Sequence, residues 1–292
     1  MNNCWPGSDR DPHGDQGYFR WHHKHFVVVI PEQSGAQQDG VVSDVRCRKF
    51  KRVPLCARCM PGAEMSLTFN DVMCGNGDTV VIRGISGLVS PGEVLAIVGR
   101  NGVGKSTLLK ALAGQLPLTS GTIPWNGADI QYEALHKRLG LGIAYTPQEN
   151  VVFGELSVAD NLWLHLADRG MERYRKMFEQ FPLLRERLSQ LAGSLSGGER
   201  KLLSFTRTLG LEAKLAMLDE PTEGVQPENI DRMANLVNSL KAAGSSFIIV
   251  EQNLEFVSAI ADAVIVLDHG EVVLQGKWAG IGREAVVQHM LV

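Results

Sequence analysis

The sequence "EVLAIVGRNGVGKSTLLKALAG", residues 93–114, decides the fold of this protein. Its apolar beginning has the character of a buried strand and runs directly into "GRNGVGKST" (99–107), which matches the pattern G-x-x-x-x-G-K-[ST]. The amphipathic stretch that follows predicts a helix. A strand, a glycine-rich loop and a helix in this order form a phosphate-binding loop. We therefore predict an α/β fold, a P-loop NTPase core with a mostly parallel central sheet.

Each residue type in the loop suits the binding of a nucleotide phosphate. Gly99, Gly102 and Gly104 allow the backbone to turn and to approach the phosphate, while the helix N-terminus adds partial positive charge. Lys105 supplies a point charge to the β- and γ-phosphates, and Ser106 supplies a hydroxyl to Mg²⁺. An ordinary glycine-rich turn is the alternative. The loop predicts binding of nucleotide phosphates and Mg²⁺, and the predicted binding residues are Gly99, Arg100, Asn101, Gly102, Val103, Gly104, Lys105, Ser106 and Thr107.

A second apolar strand, in "LAMLDE" (215–220), ends in two carboxylates. A carboxylate at the end of a strand can hold Mg²⁺ through water, and a second can orient and deprotonate an attacking water. Acidic residues often end strands, so the pattern alone is weak. Its position downstream of a phosphate loop gives it weight. We predict that Asp219 binds the metal and that Glu220 is catalytic.

The stretch "SLSGGER" (194–200) predicts the start of a helix. Ser196 would be the N-cap, and Glu199, three residues later, would complete a capping box. Gly197 and Gly198 lie between them without side chains, which leaves backbone N–H groups open to an anion.

The remaining pattern alternates strands and helices. "SLTFNDV" (66–72) and "TVVIRGIS" (79–86) read as strands, residues 155–190 as mostly helical, and "SSFIIVEQ" (245–252) as a buried strand. "AVIVLDHGEVVLQG" (263–276) predicts a hairpin that turns at His269-Gly270.

The composition, 44% hydrophobic and 21% charged with a net charge of −3, is that of a soluble protein and implies no general affinity for nucleic acid. The longest aliphatic runs, "FVVVI" (26–30) and "FIIV" (247–250), are too short to span a bilayer. No secretory leader is expected. Four of the five cysteines precede residue 65, which fits a reducing compartment better than a disulfide framework.

Residues 1–64 differ from the rest of the chain, because apolar periodicity is nearly absent. We expect an N-terminal extension without a packed core, or a start codon assigned too early with Met65 as the natural start. A zinc site at Cys56, Cys59 and Cys47 is a weak alternative, since a clean second pair is missing. The expected domain boundaries are 1–64 and 65–292.

The loop at 99–107, "LSGGE" (195–199) and "LAMLDEPTEG" (215–224), in that order, resemble the ATP-binding subunits of ABC transporters over about residues 65–292. The resemblance implies an ABC ATPase with an antiparallel β region and a small helical subdomain, at about 151–195, that docks on a membrane subunit. It makes Asp219 the Mg²⁺-linked aspartate and Glu220 the catalytic base. It also implies that Gln148, in "YTPQ", reaches Mg²⁺ and senses the permease.

In this family, the "LSGGE" residues contact the γ-phosphate of ATP bound to the other subunit of a head-to-tail dimer. The resemblance therefore assigns Ser196, Gly197, Gly198 and Glu199 to nucleotide binding. The implied partners are a second ATPase subunit, either a copy of this chain or a paralogue, membrane permease subunits and, indirectly, a substrate-binding protein. Nucleic acid is not among them.

Three further stretches narrow the resemblance to one branch. "FPLLRERLSQLAGSLSGGE" (181–199), "DEPTEGVQP" (219–227) and "VEQN" (250–253) look like importer ATPases for branched-chain amino acids and for the related urea and short amides. Such subunits lie peripherally on the cytoplasmic face of the inner membrane. A soluble ABC-type ATPase is the less favoured alternative, because residues 108–194 leave room only for a small helical subdomain. Kinases and small GTPases lack "LSGGE".

Two positions depart from the usual family pattern. Gln252 stands where the family has a switch histidine, and a glutamine can donate a hydrogen bond but cannot carry charge. We expect Gln252 to take part in catalysis while hydrolysis survives with Glu220 as the base. Asn76 stands where an aromatic ring usually stacks on adenine, which predicts weaker ATP binding or weaker choice of ATP over GTP.

Overall fold

The computed structural model describes residues 66–76, 79–149, 151–164 and 166–290, without the side chain of Asn76. Our expectations for residues 1–64 and for stacking at Asn76 lie outside the described residues. The strands are β1 (Leu67–Asn76), β2 (Thr79–Val89), β3 (Val94–Gly99), β4 (Ser120–Thr122), β5 (Pro124–Trp125), β6 (Ala128–Asp129), β7 (Ile143–Thr146), β8 (Leu215–Asp219), β9 (Ser246–Glu251), β10 (Ala263–Asp268) and β11 (Glu271–Lys277). The helices are α1 (Lys105–Ala113), α2 (Leu135–Gly140), α3 (Val158–Trp163), α4 (Arg175–Gln180), α5 (Pro182–Glu186), α6 (Gly197–Leu209), α7 (Pro227–Ala242), α8 (Leu254–Ile260) and α9 (Trp278–Met290).

The main sheet has the strand order β11-β10-β3-β9-β8-β7. All of its neighbouring strands are parallel except the edge pair β10 and β11. Every residue of β3, β8 and β9 is buried, as near-continuous apolar strands with helices on both faces require. Because parallel strands all end at the same edge, residues 99–107, 147–149, 219–224 and 251–253 follow neighbouring strand ends. The predicted α/β fold is confirmed.

A smaller antiparallel sheet covers the phosphate-loop side of the molecule. Its strand order is β2-β1-β5-β6, with β4 also paired to β1. Leu108, Leu109 and Leu112 of α1 are buried in one apolar cluster with both sheets. Helix α1 is therefore held between two sheets, which fixes the direction of its N-terminus.

The other face of the main sheet is covered by helices that include α6 and α7. Phe205 in α6 and Val237 in α7 belong to the same buried cluster as Phe247 of β9. Residues 155–190 contain α3, α4 and α5, each only five or six residues long. The predicted helical region is thus a set of short helices packed on α6 and α7.

The terminal hairpin has the predicted turn. His269 and Gly270 both have positive φ, 45° and 82°, which suits a two-residue turn between the antiparallel strands β10 and β11. Among the described residues, no helix combines the length and apolar character that crossing a membrane requires.

Candidate active site

The phosphate loop needs glycine at two of its positions for reasons of space as well as conformation. Gly99 has φ 151°, and a Cβ there would lie 2.4 Å from the Leu267 carbonyl oxygen. Gly104 has φ 106°, and its Cβ would lie 2.8 Å from Cδ1 of Ile82. Gly104 is also the N-cap of α1 and carries no capping side chain, so the first N–H groups of the helix stay open.

Lys105 holds this loop from within. Its Nζ donates to the carbonyl oxygens of Gly99 and Arg100, both at 2.9 Å, and lies 3.6 Å from Oε1 of Glu220. The residue is 4% exposed. Burial lowers the pKa of the ammonium, and the nearby carboxylates of Glu220, Asp219 and Glu251 oppose that shift. The ammonium is therefore aimed at the centre of the loop, between its carbonyls and a carboxylate.

Ser106 and Asp219 are joined by a 2.8 Å hydrogen bond from the serine hydroxyl to Oδ1 of the aspartate. Asp219 is 1% exposed, and its Oδ2 has no hydrogen-bond partner among the described residues. Burial raises the pKa of this carboxyl most, while the Ser106 hydroxyl opposes the shift. A buried carboxylate oxygen without a partner is costly unless something else binds it. A hydroxyl and a carboxylate are hard oxygen donors, and they fit Mg²⁺ or one of its waters.

The carboxylate of Glu220, the residue after Asp219, is contacted by several other side chains of the site. Its Oε2 accepts a 2.8 Å hydrogen bond from Nε2 of Gln148, and its Oε1 accepts one of 2.9 Å from Nε2 of Gln252. The side chain is buried, and the backbone has φ 45°. Positive φ at a residue other than glycine is strained and must be held by the surroundings. A 3.0 Å hydrogen bond from the Glu220 N–H to the Val250 carbonyl supplies part of that support.

Gln252 joins the carboxylate to the phosphate loop. Besides Glu220, its Nε2 donates to Oδ1 of Asn101 at 2.5 Å. The structure therefore brings together five of the predicted site residues: Asn101, Lys105, Gln148, Glu220 and Gln252.

Glu251 was missed by the sequence reasoning. Its buried carboxylate accepts hydrogen bonds from the backbone N–H and hydroxyl of Thr222, at 2.9 and 2.7 Å. It also accepts from the N–H groups of Gln252 and Asn253, at 3.0 and 3.1 Å. The carboxylate thus ties the loop after Glu220 to the loop that carries Gln252. An acidic residue at the end of the otherwise apolar "SFIIVE" was the available signal.

The predicted capping box is present at the start of α6. The Glu199 N–H donates to the Ser196 hydroxyl at 3.3 Å, and the Ser196 N–H donates to Oε2 of Glu199 at 2.8 Å. Residues 196–199 line, with Glu223 and Gly224, a cavity of about 810 Å³ to which residues 99–107 do not contribute.

The two glycines of this stretch differ in their surroundings. A Cβ on Gly197 would meet no heavy atom within 4 Å, whereas a Cβ on Gly198 would lie 2.6 Å from the Gly224 carbonyl oxygen. Gly197 therefore faces open space, and Gly198 is packed against the loop that follows β8.

Comparisons with known proteins identify a matching family model and similar proteins. A family model described as "ABC transporter" matches residues 82–223. The high-affinity branched-chain amino acid transport ATP-binding protein BraG of Pseudomonas aeruginosa is 33% identical over 219 residues, which cover 74% of this chain and 94% of that protein. The probable branched-chain amino acid transport ATP-binding protein LivF of Archaeoglobus fulgidus is 37% identical over 196 residues, 64% of this chain and 82% of that protein.

Relatives of other kinds are similar at nearly the same level. The lipopolysaccharide export system ATP-binding protein LptB of Escherichia coli is 32% identical over 205 residues, 67% of this chain and 84% of that protein. Among solved structures, a nucleotide-free ATP-binding cassette from an ABC transporter superposes with a TM-score of 0.67 at 28% identity, covering 78% of this chain and 95% of that one.

Proposed function

This chain belongs to the ABC transporter family, as an ATP-binding and ATP-hydrolysing subunit, and we propose that it powers an importer for branched-chain amino acids. The observation that carries the catalytic part of the proposal is the convergence of Lys105, Gln148 and Gln252 on the Glu220 carboxylate, beside the phosphate loop. The cargo part rests on the likeness to the two branched-chain amino acid relatives.

Glu220 is the proposed general base. Its buried carboxylate is held by two amide donors, so it would orient a water for attack on the γ-phosphate and take up that water's proton. Lys105 binds the β- and γ-phosphates, and the open N–H groups at the start of α1 bind the same anion. Gln252 uses its two amide protons to hold the Glu220 carboxylate and Asn101 of the phosphate loop together.

Ser106, Gln148 and Asp219 are the proposed holders of Mg²⁺. When bound, the ion neutralises charge on the β- and γ-phosphates. The Ser106 hydroxyl and the unpartnered Oδ2 of Asp219 offer oxygen donors, and so does Oε1 of Gln148, whose Nε2 is turned to Glu220. These residues would position the ion relative to the base.

A second subunit completes the site in this proposal. Ser196, Gly197, Gly198 and Glu199 line a cavity to which the phosphate loop of their own chain does not contribute, and Gly197 faces open space at a helix start. A helix start with bare N–H groups suits a phosphate. We place there the γ-phosphate of ATP held by Lys105 of a second ATPase subunit.

The helical region at about 151–195 would dock on the permease. Phe153 and Leu191 are 53% and 54% exposed. Their segments are joined by backbone hydrogen bonds, from Ala192 to Leu156 at 2.9 Å and from Gly193 to Gly154. Exposed large apolar residues on paired loops are typical of an interface. The patch follows closely after Gln148, so docking there would reach the active site, and the subunit would lie peripherally on the cytoplasmic membrane face.

Reconstitution with the permease subunits and binding protein tests the cargo. We expect leucine-loaded binding protein to raise the ATPase rate and to be accompanied by leucine uptake. Stimulation by urea or acetamide alone would move the protein to the urea and short-amide branch. If no membrane subunits copurify with the full chain, the transport role is wrong and the soluble ABC-type ATPase is favoured.

A further inference from the structure

Lys201 joins three parts of the site that are far apart in sequence. It lies in α6, just after the capping box. Its Nζ donates to the carbonyl oxygen of Gln148 at 2.8 Å and to the carbonyl oxygen of Glu220 at 3.2 Å. It also lies 3.4 Å from Oε2 of Glu223. Helix α6 is therefore linked by one side chain to the loops that follow β7 and β8.

The ammonium is fully committed to these contacts. An ammonium has three protons, and three acceptors surround this one. The Lys201 side chain is only 13% exposed, whereas that of Glu223 is 57% exposed. An exposed ion pair contributes little, so the two main-chain carbonyls are the partners that matter.

The contact with the Glu220 carbonyl bears directly on the catalytic carboxylate. The backbone of Glu220 has φ 45°, a conformation that persists only where the surroundings hold it. Its N–H donates to the Val250 carbonyl, and its C=O accepts from Lys201 at 3.2 Å and from the Glu223 N–H at 3.3 Å. Loss of the Lys201 contact removes one of the two donors to this carbonyl and loosens a strained residue, and the carboxylate moves with the backbone that carries it.

We propose that Lys201 is a positioning residue for ATP hydrolysis. It positions the Glu220 carboxylate by holding the Glu220 and Gln148 carbonyls against helix α6. This rests on the proposed role of Glu220 as the base. A movement of α6, where the partner's nucleotide would bind, is transmitted to Glu220 through the Lys201 ammonium. Closure of the dimer would therefore change the position of the base.

Lys201→Met, which keeps the aliphatic stem and removes the ammonium, tests the proposal in the full chain. We expect kcat to fall at least about tenfold while the KM for ATP stays within about twofold, since the loss is confined to the transition state. The matched control is Lys176→Met, because Lys176 is exposed and makes no hydrogen bond or ion pair within the described part of the chain. An unchanged kcat in Lys201→Met overturns the proposal.

A double-mutant cycle with Glu220→Gln separates positioning from a general loss of structure. Single-turnover hydrolysis is measured for both single variants and for the double variant. If Lys201 acts through the Glu220 carboxylate, it has no further effect once that carboxylate is gone, and the double variant matches Glu220→Gln. A further fall of similar size in the double variant would show that Lys201 acts elsewhere and would overturn the inference.

The outcomes also distinguish this inference from the proposed function. If Glu220→Gln turns over like wild type, the assigned base is wrong and the inference falls with it. If Glu220→Gln is slow and Lys201→Met is normal, only the inference is wrong. Should Lys201→Met fail to fold, the same cycle is run with Lys201→Gln, whose amide can keep part of the contact and which is expected to show a smaller fall in kcat.

Discussion

Gln148 and Glu220 are 72 residues apart in the sequence and are joined by a 2.8 Å hydrogen bond from Nε2 to Oε2. The bond turns the amide nitrogen toward the carboxylate and leaves the amide oxygen available for the proposed Mg²⁺. The other carboxylate oxygen is held by Gln252. Gln148 follows β7 and Gln252 follows β9, and together they hold the carboxylate of Glu220, which follows β8, at the edge of the sheet.

Ser106→Ala should weaken ATP binding only when Mg²⁺ is present. The hydroxyl bonds Asp219 and would be a ligand of the ion, and a hydrogen bond to a charged group contributes about 1.5–3 kcal/mol, or roughly 10- to 100-fold in affinity. Fluorescent-nucleotide titrations with and without Mg²⁺ measure this, and Ser106→Thr, which keeps the hydroxyl, is the control. An equal loss in both titrations would contradict the assigned role.

Gly197→Asp should prevent ATP-driven dimer closure and leave the fold intact. The position is open, so the thermal midpoint should change little, while the added negative charge repels a phosphate at the helix start. Light scattering with ATP, in the presence of the ATPase partner, measures closure. Gly198→Ala is the contrasting variant: its Cβ meets the Gly224 carbonyl, and we expect about 1–3 kcal/mol of lost stability. ATP-driven dimers of Gly197→Asp would rule out the split site.

Gln252→Ala should lower kcat by about fivefold, since each net hydrogen bond is worth about 1 kcal/mol and Glu220 keeps its bond from Gln148. Gln252→His should restore the contact but make the rate depend on pH near about 6.5, where an unperturbed histidine titrates. Rate profiles against pH for the three proteins measure both effects. If Gln252→Ala matches wild type, the amide has no role in turnover.

Glu251→Gln should destabilise the protein, and more so at lower pH. An amide NH₂ would face backbone donors, which costs at least about 1–3 kcal/mol. Burial raises the pKa of Glu251, so the folded state takes up this proton at higher pH than the unfolded state. Wild type therefore gains stability from this group as pH falls toward about 4.5, and the variant does not. Denaturant unfolding between about pH 8 and pH 5 measures the difference. A difference that shrinks on acidification would contradict this account.

Much of the site could be predicted from local pattern. The loop at 99–107, the capping box of Ser196 and Glu199 and the turn at His269-Gly270 are each set by residues close together in sequence, and all three are present. Such features depend on backbone conformation and nearest neighbours, which a short stretch of sequence specifies.

The contacts that position Glu220 could not be predicted in this way. The positive φ of Glu220, the hydrogen bond from Lys201 to its carbonyl and the hydrogen bond from Thr222 to Glu251 depend on which loops meet at the edge of the sheet. From the sequence, Lys201 in an amphipathic helix is predicted to be solvated, and only the tertiary arrangement shows its three acceptors. The weaker ATP binding expected from Asn76 stays a prediction.

The most direct test of the account is the steady-state rate of phosphate release by Glu220→Gln. The isosteric amide can still accept a hydrogen bond but cannot take a proton, so we predict that kcat falls by at least about 100-fold while ATP affinity is retained. Turnover within about threefold of wild type would contradict Glu220 as the base, and with it the proposed catalytic mechanism.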